Sequence, residues 1–349
     1  MKMMLQTLIM FMSLTGLFSC SQGGWTEANP DEFQNAALSA GTCVIDVRTA
    51  QEYAQGHLLN AVNVDWQKDG FIDEISKKFN KELLLALYCR SGRRSAEAAA
   101  ALTGAGYRVM NLTEGYLGWT AAGKPVNTYE VECFSKGGEP VFINLLKHGT
   151  LAIFYKGISV HIDPVSGYGT PTDYAKEFPK ASVILITHEH GDHLDKNAIS
   201  TLSSDNTVLL LNAASQRQTG MGESMENGET RLLPGEIKLE AVPAYNTTSG
   251  REQFHPKGNG NGYVLTFPDK IRIYVAGDTE DVPEMAELKD IDVAFLPVNQ
   301  PYTMTVEQCV KAARVIRPEI LIPYHFSQTD LSGLQEKLPD IKVLLHDMQ

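Results

Sequence analysis

Short apolar runs alternate with amphipathic stretches between residues 25 and 126. Residues 43–46, 83–88 and 107–112 read as buried strands, and residues 95–104 as an alanine-rich helix. Alternation of this kind predicts a parallel sheet with helices on both faces. Turn residues are dense from Gly123 to Pro140, and residues 127–140 are expected to form a linker. Beyond it the texture is strand-rich. Residues 141–146, 151–155 and 158–162 read as consecutive strands with a Lys156-Gly157 turn, and 183–186, 208–211, 237–242, 262–267, 271–276 and 293–297 fit further strands. Helices fit 284–288 and 305–316. The pattern predicts two domains, 21–126 and 141–349, the second made of strand-rich layers with covering helices.

Residues 1–20 are a different material. Lys2 precedes an almost uncharged apolar run that ends at Phe18, a length suited to a signal peptide and short for a membrane span. Its close, Leu17-Phe18-Ser19-Cys20, resembles a bacterial lipoprotein signal. That resemblance implies lipidation of Cys20, export, and a protein anchored to the membrane of the cell envelope, on the periplasmic side or at the outer membrane. A net charge of −12 with no long basic run argues against general nucleic-acid binding. The wide spacing of Cys43, Cys89, Cys133 and Cys309 shows no disulfide framework. Cys43 and Cys309 fall in regular segments and are expected to be packed thiols.

Cys89 is different. It ends an apolar run and opens Cys89-Arg90-Ser91-Gly92-Arg93-Arg94, with Ser95 next. A thiol reacts as its thiolate, which is stabilised by cations, backbone amides and a helix N-terminus. Three guanidinium groups, a glycine that lets the backbone approach the sulfur, and Ser95 as a helix cap would together cradle an anion such as thiosulfate, phosphate or a persulfide. These residues resemble the Cys-x-x-Gly-x-Arg active loop of the rhodanese family. The likeness extends to Asp46-Val47-Arg48, Glu52-Tyr53, Gly56-His57, Gly115-Tyr116-Leu117-Gly118-Trp119 and Gly123-Lys124-Pro125-Val126. It implies an α/β rhodanese domain in which Cys89 carries sulfur as a persulfide, taken from a donor such as thiosulfate or another persulfide. Arg94 would close the loop, and Asp46 and Arg48 would brace it. Related phosphatases use a longer Cys-x5-Arg loop, and here that position holds Ser95.

The densest chemistry is Thr187-His188-Glu189-His190-Gly191-Asp192-His193, directly behind the apolar run 183–186. Imidazole and carboxylate lose solvation on burial unless a cation receives them. Gly191 allows a reversal that swings Asp192 and His193 toward a second cation, and Glu189 and Asp195 are candidate partners for the imidazole N–H groups. The pattern His-x-His-x-Asp-His resembles the metallo-β-lactamase fold. It implies an αββα sandwich and two divalent cations, zinc first, with manganese or iron as alternatives. The implied ligands are His188, His190, Asp192 and His193, a bridging Asp278 and a last His325, with Asp163 as the family's early aspartate near the site. The family's middle histidine is expected near residues 242–246, where none stands. Asn246 takes that place and His255 follows nearby; either could hold metal or substrate, and either could be structural. The stretches around Pro243, Gly258 and Ala276 resemble the L-ascorbate-6-phosphate-lactonase-like branch of metal-dependent hydrolases.

The leading expectation is a rhodanese sulfurtransferase fused to a metal-dependent hydrolase. In the hydrolase, metal-activated water would attack a phosphodiester, lactone or similar bond of a small molecule, with Asp192 orienting it. A fusion of these two folds also resembles persulfide dioxygenases, although the domain order is reversed. A third expectation is a non-catalytic sulfur carrier or metal-dependent binding module.

Overall fold

The computed structural model describes residues 24–169 and 171–348. The expected leader and its lipidated Cys20 lie outside the described residues. Among the described residues no helix is long and apolar enough to cross a membrane.

The first domain is a five-stranded, all-parallel sheet in the order Thr26–Ala28, Arg108–Leu112, Leu84–Tyr88, Thr42–Asp46, Val62–Asn63. The period of two sends Cys43, Ile45, Leu85 and Leu87 to one face and Val44, Ala86 and Tyr88 to the other. Both faces are covered, as a parallel sheet requires. Phe71 and Ile75 from helix Phe71–Lys78, with Ala98 and Leu102 from helix Arg93–Gly104, pack on the first. Phe33 from helix Pro30–Ala37 and Trp119 from helix Gly115–Ala121 pack on the second.

The second domain is two seven-stranded sheets face to face. In the first sheet, strands Val141–Lys147, Thr150–Tyr155 and Ile158–Ile162 run as an antiparallel meander, and Val183–Ile186 and Val208–Leu211 add in parallel. In the second, Ile237–Ala244 and Gly260–Thr266 lead into the parallel strands Arg272–Val275, Val293–Pro297 and Ile320–Tyr324. Val141, Ile143, Leu185, Leu239, Leu265 and Ile273 meet between the sheets. Helix Lys196–Leu202 covers one outer face and helix Val306–Ile316 the other, which completes an αββα sandwich.

The segment expected as a linker contains regular structure. Residues Glu130–Phe134 pair antiparallel with Val141–Lys147 as the edge strand of the first large sheet. Edge strands keep one face in water, so Glu130 and Glu132 alternate with Val131 and Cys133 and the apolar run is interrupted. The junction is correspondingly dry. One apolar cluster runs from Ile45 and Leu87 of the small sheet into Phe142, Phe154 and Phe178 of the large one. A buried hydrogen bond from the Asn144 amide to Asn60 Oδ1, 2.7 Å, crosses the same junction. Two local expectations shift as well. The helix expected at 95–104 begins at Arg93, and the helix expected at 284–288 is a 3-10 turn, Pro283–Glu287.

Near this shared core His161 is fully buried among Phe154, Tyr174 and Phe178, and neither ring nitrogen has a partner. Burial pushes its pKa down to about 3. An unfolded histidine titrates near about 6.5, so on acidification below that value the unfolded chain takes up a proton that the folded chain refuses. Stability should therefore fall as pH drops from neutrality toward 4, with His161 contributing up to about 1.4 kcal/mol per pH unit. Urea midpoints measured across this range should show a shallower slope for His161→Phe than for the natural chain; equal slopes would rule the residue out as the source.

Candidate metal centre and cysteine loop

Loops at one edge of the sandwich bring the sequence-predicted residues together. Asp163 follows strand Ile158–Ile162, the histidine loop follows Val183–Ile186, Asp278 follows Arg272–Val275 and His325 follows Ile320–Tyr324. All are strand C-terminal ends, where an α/β sheet gathers its functional loops. Two groups form. His188, His190 and His255 face one point, and Asp192, His193 and His325 face another, joined there by His148. Asp278 lies between them. Its Oδ1 is 3.4 Å from His193 Nε2, and its Oδ2 is 3.2 Å from His325 Nε2, 3.3 Å from His255 Nε2 and 3.9 Å from His188 Nε2.

The donor chemistry fits divalent cations. Two ligands about 2.1 Å from one tetrahedral ion sit about 3.4 Å apart, which is the spacing found. His193 Nε2, His255 Nε2, His325 Nε2 and Asp278 Oδ1 are buried and have no hydrogen-bond partner within the protein. Buried polar atoms left in that state are costly. The electrostatics agree: burial disfavours a charged His193, yet Asp278 and Asp163 raise its pKa to about 9, while the surrounding histidines hold Asp278 ionised despite its own burial.

The imidazoles are oriented from behind. His193 Nδ1 bonds Asp163 Oδ2 at 2.7 Å, and Asp163 in turn accepts from the Thr187 backbone N–H and hydroxyl at 2.7 and 2.6 Å. His188 Nδ1 meets the Thr187 hydroxyl at 3.0 Å, and His255 Nδ1 the Tyr302 carbonyl at 3.1 Å. Asp163 thus stands behind the cluster and outside both ligand groups. Glu189 and Asp195, expected in that role, are used elsewhere: Glu189 accepts from the amides of Asn212 and Asn259, and Asp195 caps helix Lys196–Leu202.

His255 reaches the side of the cluster where the family's middle histidine was expected. The loop that leaves strand Ile237–Ala244 doubles back through residues 247–254, anchored where Glu280 accepts the N–H groups of Thr247 and Thr248, and delivers His255 to the cluster. Asn246 ties that loop down through its nitrogens, while its buried Oδ1 has no hydrogen-bond partner. Its amide nitrogen donates to the Tyr302 and Arg251 carbonyls at 2.8 and 3.2 Å, and its backbone N–H donates to the His255 carbonyl at 2.8 Å.

Sequence reasoning passed over His148. It sits in the tight hairpin between Val141–Lys147 and Thr150–Tyr155, its Nε2 3.2 Å from Asp192 Oδ2 and its ring 3.6 Å from that of His325. Next to it, a Cβ on Gly149 would stand 2.7 Å from His193 Cε1, so only glycine admits that ring. A histidine-glycine pair at the turn of an apolar hairpin, on the edge where the other ligands lie, was the available signal.

At the cysteine loop, Gly92 takes φ +90°, and a Cβ there would lie 1.8 Å from the Thr113 carbonyl oxygen. The backbone thereby wraps the buried sulfur of Cys89. Burial opposes ionisation, but the Ser95 hydroxyl and the N–H groups of Ser95, Ser91 and Gly92 donate to the sulfur and bring its pKa below the ordinary thiol value. The hydroxyl also lies 3.0 Å from the Gly92 carbonyl, which competes with the sulfur for its one proton. Arg94 lies beside the thiol and is held by a two-bond fork on Glu52, 2.8 and 2.7 Å, which keeps the Glu52 carboxyl down at about 2. Arg48 bonds Asp46 at 2.6 Å and the Gly56 carbonyl at 2.7 Å, and it lies over the Tyr116 ring, whose backbone N–H holds the Cys89 carbonyl. The expected ring of three guanidinium groups is reduced: Arg90 is exposed, and Arg93 points outward to pair with Glu97. Cys43 and Cys309 are buried free thiols whose pKa is raised by burial. Ser95→Ala should therefore shift the thiolate absorbance titration of Cys89 to higher pH. An unchanged midpoint would assign the stabilisation to the backbone amides alone.

Comparison with known proteins agrees with this fold. A family profile described as a β-lactamase superfamily domain matches residues 143–325, and one described as a rhodanese-like domain matches residues 29–122. A UPF0173 metal-dependent hydrolase of Pyrococcus furiosus is 34% identical over 191 residues, 51% of this chain and 82% of that protein. One of Enterococcus faecalis is 33% identical over 198 residues, 53% of this chain and 87% of that protein. A crystal structure from Parabacteroides distasonis, provisionally assigned as a metal-dependent hydrolase, is 50% identical with a TM-score of 0.60, covering 63% of this chain and all of that one. The chain belongs to the β-lactamase superfamily, among the UPF0173 metal-dependent hydrolases, and carries a rhodanese-like domain ahead of the hydrolase fold.

Proposed function

We propose that the C-terminal domain holds two divalent cations and directs water onto an ester-like bond, and that the N-terminal domain is a sulfurtransferase on the same envelope-anchored chain. One observation carries the hydrolase half: a single buried carboxylate, Asp278, reaches histidines of both groups. His188, His190 and His255 would hold one cation and Asp192, His193 and His325 the other, with Asp278 between them. Such a pair would supply an acidified water and a Lewis acid. Asp192 is the cluster's solvent-accessible carboxylate, kept ionised against its partial burial by His148, His325 and His193, and it orients the attacking water. Asp163, Thr187 and the Tyr302 carbonyl fix the tautomers that leave ring nitrogens facing the cations.

In the N-terminal domain the Cys89 thiolate attacks the outer sulfur of thiosulfate. The S–S bond breaks, sulfite leaves with the electron pair, and a persulfide remains on Cys89. The loop N–H groups and Arg94 hold the anion. The short loop, closed by Arg94, supports sulfur over phosphate. The Leu17-Phe18-Ser19-Cys20 close supports delivery of both activities to the envelope membrane.

His255→Ala should lower bound zinc from about two to about one per chain and hydrolysis by roughly a hundredfold. Retention of both ions would return Asn246 to the ligand set. A single iron, with sulfite formed from a persulfide, would replace hydrolysis by sulfur oxidation.

Cys89→Ser should abolish thiocyanate formation from thiosulfate and cyanide while metal content stays as in the natural chain. Persistence of that activity would remove Cys89 as the sulfur carrier.

A further inference from the structure

The surroundings of the metal cluster say what kind of molecule it accepts. Two large aromatic side chains are left open beside it. Tyr168, 44% exposed, follows Asp163 in the loop after strand Ile158–Ile162, and its ring is 4.5 Å from that of His148. Tyr302, 47% exposed, stands in the turn whose carbonyl holds His255, with its ring edge-on to Phe254 at 5.1 Å. One tyrosine thus lies against a histidine of the cluster and the other in the turn that holds His255, so both stand beside it. Exposed aromatic rings at a site mouth bind flat or apolar groups at low entropic cost.

The basic side chains on the same loops are committed elsewhere. Arg251 reaches Glu280 at 3.5 Å, Lys257 pairs with Glu284 at 3.0 Å, Lys196 bonds the Gln218 carbonyl at 2.9 Å, and buried Lys147 bonds the Ser166 carbonyl at 3.2 Å. Just beyond His325, a surface depression is lined by the apolar Phe326, Leu331 and Leu345, with Asp330 and Asp347 as its charged members besides His346. His346 is itself engaged by Glu130 and Glu132. Recognition of phosphate by proteins rests on guanidinium or ammonium groups, or on a row of free backbone amides. Beside the cluster stand tyrosine rings, and the basic side chains of these loops are already paired.

We propose that the substrate of the metal centre is an uncharged carboxylic ester or lactone bearing an aromatic or aliphatic group, which Tyr302 and Tyr168 grip, and that substrates carrying a separate phosphate group are disfavoured. This rests on the hydrolase reading and narrows it. A neutral carbonyl adds no charge to the cluster before attack. Bound cations would receive the charge of a phosphodiester at the reacting bond, but the two charges of a phosphorylated lactone would fall outside it, where Arg251 and Lys257 are already paired. The attacking water adds to the carbonyl carbon, the C–O bond breaks, and the leaving oxygen takes up a proton, giving a carboxylic acid and an alcohol.

The test uses the full chain loaded with zinc. p-Nitrophenyl butyrate and p-nitrophenyl acetate are compared with bis(p-nitrophenyl) phosphate, and metal content is measured on every sample. The natural chain should show kcat/KM for the butyrate ester at least about tenfold above that for the phosphodiester. Because Tyr302 holds His255 only through its backbone carbonyl, Tyr302→Ala should keep the metal while reducing the preference for phenylacetate over acetate esters by about tenfold. Preference for the phosphodiester, or unchanged ester discrimination in both Tyr302→Ala and Tyr168→Ala, would overturn this inference and leave the hydrolase reading standing. Failure to cleave any of these substrates with two metals bound would overturn both.

Discussion

The constraint on which the hydrolase half depends is electrostatic. Asp278 is a fully enclosed carboxylate, and around it stand imidazole nitrogens that no protein group satisfies. Neither population is stable alone: an isolated buried anion is costly, and so is a buried imidazole with an idle nitrogen. Gathered together they tolerate one another only because positive charge belongs among them. The strand ends that deliver Asp163, His188, Asp278 and His325 come from both sheets, so the cluster also ties the two layers at one edge. Asp163, His148 and His325 accept left-handed backbone there, with φ +47°, +41° and +49°. Non-glycine residues adopt that region at a cost, which the surrounding packing must override.

The second organising feature is the dry junction between the domains. A flexible tether would let each domain move independently. Here the edge strand Glu130–Phe134 and the Asn144–Asn60 bond make the small sheet's helices and the large sheet's outer face parts of one interior. His161 is near this interior with both ring nitrogens unpartnered, a position that neutral imidazole tolerates and imidazolium does not. The two reactive loops are thus held in a fixed relation, whatever passes between them.

Much of this was legible in the sequence because local pattern and tertiary role coincide. Strands 158–162, 208–211 and 293–297 are apolar runs buried by the same sheets that their periodicity demands. The histidine loop could be read because its ligands are neighbours in sequence, and Asp278 and His325 because each follows an apolar strand. His255 was harder to place. Its position depends on a loop folding back through backbone contacts to Glu280 and Tyr302, and nothing periodic encodes such contacts. The edge strand Glu130–Phe134 escaped for a related reason, since its solvent face carries glutamates. Arg93 was misplaced because a helix beginning two residues earlier turns that side chain outward.

The two chemistries share one structural device and differ in where the next helix begins. After strand Leu84–Tyr88 the chain enters helix Arg93–Gly104 within the loop itself, so the N–H groups of the first turn converge on Cys89 and the pocket favours an anion. After strand Val183–Ile186 the helix is postponed to Lys196 and is capped by Asp195, which occupies the first N–H groups of that helix. The intervening residues are then free to present side chains instead of amides, and imidazole with carboxylate selects a cation. Opposite preferences for charge therefore arise from the same strand-to-helix connection, according to how soon the helix starts and whether a carboxylate caps it.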